Sequence, residues 1–234
     1  MSLADALLSP RAGDPRPLLT YYDGATGERI ELSGVTTANW AAKAANLLRD
    51  DCEVEPGSRV AVLLPAHWQT AAVLLAAWWC GAEVVAGDAD LVLCDAHRVD
   101  RARAANPPLG VVALSLDPFG KGVPGLPTGV VDFGPAVRLH GDAFMPWDTV
   151  PDEAPALNGT NVADVLATAR DRAAELGLGA GDRVLSSLEW TGAGLVDGLL
   201  AVLVAGASLV QVARADEVRL ARIAESERVT RRLD

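Results

Sequence analysis

Lysine is nearly missing from this chain: of its 20 basic residues only Lys43 and Lys121 are lysines, and the rest are arginine. Chemistry that demands a lysine has two places to look. Cysteine is scarce as well. Cys52, Cys80 and Cys94 are odd in number, widely spaced and form no C-x-x-C, which excludes a disulfide framework and a thiol-rich metal site and fits a reducing cytoplasm. The histidines His67, His97 and His140 stand at no motif spacing from a Ser or Cys, and no G-x-S-x-G occurs, so they read as ordinary surface or loop residues. No G-x-G-x-x-G follows a strand-like run, against a stand-alone dinucleotide-binding protein. Positive charge is outnumbered: 31 acidic residues give a formal net charge of -11, which repels phosphate backbones and anionic lipid. Neither nucleic acid nor membrane is an expected partner. The longest uncharged apolar runs, 71–82 and 199–210, fall well short of the roughly 20 residues that span a bilayer. Residues 1–16 carry no basic stretch followed by an apolar one, so no export signal is expected, and the expected location is cytoplasmic.

What the chain does have is a repeat. Pro56-Gly57-Ser58-Arg59-Val60-Ala61-Val62-Leu63-Leu64 leads through an apolar helix pattern to Cys80-Gly81-Ala82-Glu83-Val84-Val85. Ala180-Gly181-Asp182-Arg183-Val184-Leu185 leads through another to Ala205-Gly206-Ala207-Ser208-Leu209-Val210. The offset is 124 residues at the first glycine (57 to 181) and 125 at the second (81 to 206). Each copy reads helix, turn, strand, helix, Gly-Ala, strand, which is the βαβ pattern of a parallel sheet. The expected fold class is α/β with two similar parallel-sheet subdomains. Residues 18–22 and 29–32 read as an opening hairpin. Residues 1–116 form the expected first subdomain, 117–152 a Pro/Gly-rich connection, and 153–234 the second subdomain. Within the connection, 130–132 and 137–139 read as short strands. Asn161 with Asp164 starts a helix whose apolar stripe runs from Val162 to Leu176, and a charged helix follows from Asp216 to Glu227.

These segments resemble the N-terminal region of the adenylate-forming superfamily, the AMP-binding acyl-CoA synthetases and their relatives. Leu47-Leu48 through Pro56–Pro65 and Cys80-Gly81-Ala82 resemble its first subdomain; Gly179–Ser186 and Gly194-Leu195 through Leu209 resemble its second. The resemblance implies an ATP-dependent carboxylate ligase fold and places a Ser/Thr/Gly-rich phosphate loop ending in Pro-Lys between Leu157 and Val162. Only Asn158-Gly159-Thr160 stands before Asn161 there, too short to wrap a triphosphate. The family keeps its ribose-binding aspartate, magnesium ligand and adenylation lysine farther along, beyond Asp234. Neither Lys43 nor Lys121 matches a family position. A histidine often found before the Gly-Leu of the second repeat is also absent, the segment reading Glu189-Trp190-Thr191-Gly192-Ala193-Gly194. The expectation is a short relative lacking the phosphate loop and C-terminal domain.

Other candidates carry less. Gly120-Lys121-Gly122-Val123-Pro124-Gly125 lacks the order of a phosphate loop and reads as a turn. The acidic run 50–55 reads as solvated, not as a metal site. Of the neighbours Trp78 and Trp79, about 100° apart on a helix, at most one can face the sheet. Gly192-x-Gly194 at a helix start can offer free N–H groups to an anion, although close backbone packing explains the same glycines. Trp190, Thr191, Gly192 and Gly194 are therefore the candidate ligand-binding residues. No catalytic residue and no metal ligand is named. The expected function is a binding or interaction module without ligase activity and without a cofactor, working as a homodimer or with a partner protein. The competing expectation is residual acyl-adenylate or nucleotide binding, with ATP and Mg as cofactors and a partner chain supplying missing parts.

Overall fold

Fourteen prolines and 22 glycines break the chain into short elements, and a computed structural model describes them over residues 1–234. A buried helix comes first, α1 (Leu3–Leu8). Ser2 and Asp5 cap it reciprocally: the Asp5 N–H donates to Ser2 Oγ at 3.1 Å, and Ser2 N–H and Oγ–H donate to the Asp5 carboxylate. The expected hairpin follows as β1 (Pro17–Asp23) and β2 (Arg29–Ser33), then α2 (Gly34–Asp50). The first repeat is β3 (Arg59–Leu63), α3 (Trp68–Trp79) and β4 (Glu83–Val85). Next come β5 (Leu91–Asp95), α4 (Val99–Ala104), β6 (Gly110–Leu114), β7 (Val130–Asp132) and α5 (Phe133–Val137). The strand expected over 137–139 is not formed. Pro135 lies in the first turn of α5, where a missing N–H costs no hydrogen bond, so the segment after Asp132 turns helical. The rest is β8 (Pro155–Leu157), β9 (Thr160–Asn161), α6 (Val162–Glu175) and β10 (Arg183–Ser186). A helix then runs as α7 (Ala193–Leu195), a π segment (Val196–Leu200) and α8 (Ala201–Val204). β11 (Ser208–Ala213), α9 (Glu217–Ser226) and β12 (Arg231–Leu233) complete the chain.

The strands form two sheets. One has the order β7-β6-β5-β3-β4-β8-β9 and is parallel except for the β8–β9 hairpin. The other has the order β12-β10-β11-β1-β2, parallel except for β1–β2. Each repeat lays its two strands side by side, β3 on β4 and β10 on β11. Their shared Gly-Ala has one physical cause. Gly81 (φ 76°) and Gly206 (φ 70°) adopt the left-handed conformation that ends a helix. The next N–H then reaches back five residues, Ala82 to the Ala77 carbonyl at 2.9 Å and Ala207 to that of Val202 at 3.1 Å.

The chain divides into two compact units, one of residues 1–5, 39–64 and 69–165, the other of 6–38, 65–68 and 166–234. The linear boundaries expected at 116/117 and 152/153 do not follow the sheets. The N-terminal hairpin joins the second unit because β1 pairs in parallel with β11, while 117–152 and the β8–β9 hairpin belong to the first. In the first unit Trp78 is buried and its Nε1–H donates to the Ala156 carbonyl at 2.9 Å. Trp79, half-buried, donates to Asp5 at 2.7 Å and stacks on Phe144. In the second, Leu185, Val210, Val212, Leu220 and Ile223 make one apolar cluster under α9. Beside it Glu227 accepts from Tyr22 Oη at 2.5 Å, from Arg29 Nη2 at 2.9 Å and from Arg183.

Candidate functional site

The segment to which the resemblance assigns a phosphate loop is a tight hairpin. Asn158 (φ 46°) and Gly159 (φ 82°) both take left-handed backbone, as a two-residue turn matched to the twist of its strands requires. The turn is fastened to the end of β4. Asn158 N–H donates to the Val84 carbonyl at 3.0 Å, its Oδ1 accepts from Ala86 N–H at 2.8 Å, and Gly159 N–H donates to the Glu83 carboxylate. Both turn N–H groups are thus engaged, one of them by an anionic side chain. Past β9, Asn161 caps α6 as its spacing predicts: Oδ1 accepts from Asp164 N–H at 2.8 Å and Nδ2 donates to the Asp164 carboxylate.

Of the four candidate residues, Trp190, Thr191 and Gly192 lie on the turn between β10 and α7 and Gly194 lies in α7, each in different surroundings. Gln211 on β11 donates through Nε2 to the Leu188 carbonyl at 3.1 Å, and Leu188 N–H donates to Ser186 Oγ at 3.2 Å, which fixes the strand exit. Trp190 is buried, and its Nε1–H has no hydrogen-bond partner; neither has the buried Gln211 Oε1. A Cβ on Gly198, in the π segment, would stand 3.3 Å from both Trp190 Nε1 and Ser186 Oγ. Thr191 and Gly192 are exposed. Gly194 is a packing glycine, since a Cβ there would approach the Glu189 carbonyl oxygen to 2.2 Å. The helix start offers few free donors: the Gly194 N–H goes to Thr191 at 3.0 Å and that of Leu195 to Gly192 at 3.3 Å. The π segment is held from α6, where Arg172 grips Asp197 through Nε at 2.8 Å and Nη2 at 2.9 Å.

A polar cluster at the carboxyl end of β1 escapes motif reading because its members come from distant segments. His67 is buried rather than a surface residue, its ring meeting Tyr21 edge-on at 4.4 Å with Glu28 Oε1 3.7 Å from its Nε2. Burial lowers its pKa despite Glu28, so the imidazole is neutral at neutral pH. Burial, then the charges of Asp23 and Glu28, push the Tyr21 phenol up. Burial alone would raise Asp23, but bonds from Arg214 and from the Ala25 and Thr26 N–H groups outweigh it and hold the carboxyl below its usual range. His97 is exposed, and His140 pairs with Asp51 at 3.1 Å. No group of three or more His, Cys, Asp or Glu side chains is placed to hold a metal ion, and no helix is long and apolar enough to cross a membrane.

No family model matches the chain. A TIGR03089 family protein from Mycobacterium tuberculosis is 52% identical over 239 residues, spanning 98% of this chain and 97% of the relative. The chain belongs to the TIGR03089 family. Its fold is that of the N-terminal region of acyl-CoA synthetases. An acyl-CoA synthetase from Brucella canis superposes with a TM-score of 0.80 at 20% identity, over 99% of this chain and 47% of that one. The anthranilate CoA ligase AuaEII, solved with anthranoyl-AMP, gives 0.75 at 16% identity over 97% and 48%. Apo MatB from Rhodopseudomonas palustris gives 0.74 at 19% over 96% and 48%. This TIGR03089 chain spans about half the length of those solved structures.

Proposed function

We propose that the chain is a binding or interaction module on an acyl-CoA synthetase-like scaffold, without ligase activity of its own. One observation carries this reading: at the β8–β9 turn two residues replace a phosphate-wrapping loop, and the Gly159 N–H that could meet a phosphate oxygen donates to Glu83. A carboxylate in that place repels a triphosphate, so the residues here do not fit ATP. The test is carboxylate-dependent ATP–pyrophosphate exchange with the purified chain. The expected result is none above background; robust exchange overturns the reading.

A second reading, residual acyl-adenylate or nucleotide binding with or without a partner chain, is favoured by the buried, unpartnered Trp190 Nε1 and Gln211 Oε1. It predicts a melting shift with an acyl adenylate even where exchange is absent.

A further inference from the structure

The second unit has an open hollow of about 570 Å³ beside α9, where β1 and β11 end side by side. Ligands of open α/β sheets settle at such carboxyl ends, and the volume lies within the roughly 300–1,000 Å³ of small-molecule sites. Arg214, Arg219 and Arg222 line it, together with apolar Val218 and Ile223 and the ring of Tyr22. Three guanidinium groups around one hollow are notable in a chain of net charge -11. Two nearby carboxylates, Asp23 and Asp216, are already engaged, the first holding Arg214 through both Nε and Nη2. Asp23 is buried and bonded to Arg214 and to the Ala25 N–H at 2.8 Å, and Asp216 caps α9 by accepting from the Arg219 N–H at 2.8 Å. Arg219 reaches the Gly24 carbonyl through one nitrogen at 2.7 Å, which fixes it across the mouth and leaves its other donors. Arg222 has neither an ion-pair nor a hydrogen-bond partner. Arg214 sits in left-handed backbone (φ 53°), which is strained for any residue with a side chain and is kept where the surroundings demand it.

We propose that this hollow binds a phosphomonoester whose phosphate meets the arginines and whose short apolar body lies on Val218 and the ring of Tyr22. A carboxylate has two oxygens to share among three guanidinium groups. A phosphate monoester has three terminal oxygens and up to two charges, and matches them better. The site is separate from the β8–β9 turn and from Trp190.

The test is calorimetric titration of the full chain with hexyl phosphate, inorganic phosphate and hexanol. Hexyl phosphate is expected to bind saturably, inorganic phosphate more weakly, and hexanol not at all. Arg222→Ala, at an exposed side chain without partners, should melt like the parent yet bind hexyl phosphate about tenfold more weakly. Absence of hexyl phosphate binding, or undiminished binding by R222A, overturns the assignment. Inorganic phosphate binding as tightly as the ester removes the apolar half of it, and hexanol binding as tightly removes the anionic half. Pyrophosphate exchange, were it found, would overturn the proposed lack of ligase activity and leave this hollow untouched.

Discussion

Glu227→Gln removes one charge while keeping the side chain's shape, at a point where three elements of the second unit meet. The carboxylate accepts from Tyr22 on β1, from Arg29 on β2 and from Arg183 on β10. Arg29 is nearly half exposed, so water screens its share to well under 1 kcal/mol. Arg183 is mostly buried and would keep only Thr20 Oγ1 at 3.0 Å and Glu31 at 4.0 Å. A partly uncompensated guanidinium and a weakened Tyr22 bond together cost about 2 kcal/mol. That lowers the melting temperature by roughly 4–8 °C for a domain of this size. The sign with pH follows from the carboxyl. Burial pushes Glu227 up, but the bonds from Tyr22, Arg183 and Arg29 more than offset it and leave it below its ordinary value. Its contribution is therefore present above about pH 4.3 and is lost as pH falls through the folded value. Urea unfolding of parent and variant should show the full gap near about pH 7 and a narrowing one toward about pH 3. Equal stability at neutral pH, or a gap indifferent to pH, refutes the reasoning.

Gly194→Ala should destabilise by about 1–3 kcal/mol, because its Cβ would need to displace the Glu189 carbonyl. Gly181→Ala, with open space at that point, should be neutral or slightly stabilising; equal melting temperatures for the two variants would contradict the packing role. Burial pushes the Cys52 and Cys80 thiols up to about 12 and that of Cys94 to about 11. None should react with a thiol reagent in the folded chain, whereas all three should react in denaturant, and rapid labelling of the native protein would refute this.

The repeat was the most legible feature, because each strand has an apolar centre and each helix ends in Gly-Ala, and both are local signals. The Asn161–Asp164 helix start and the charged helix beginning at Asp216 were local too. What escaped was long-range or brief. The pairing of β1 with β11 leaves no trace in either segment, so the hairpin was assigned to the wrong half of the chain. α1 and β12 are too short for a periodic pattern to stand out. The burial of His67 depends on Tyr21 and Glu28, about forty residues away. Of the four candidate residues, Gly194 carried the bland explanation and Trp190 the informative one, and only the surroundings of each separate them.

The interleaving of the two units has a consequence for biosynthesis. Leu19 of β1 pairs with Leu209 of β11, 190 positions later (209 minus 19). A ribosome must therefore release most of the polypeptide before the first hairpin meets its permanent neighbour, and an isolated two-stranded ribbon is marginal in water. Until then that ribbon needs shelter or stays unformed. Cutting the gene between the repeats would orphan β1 from β11, leaving neither fragment a finished sheet of five.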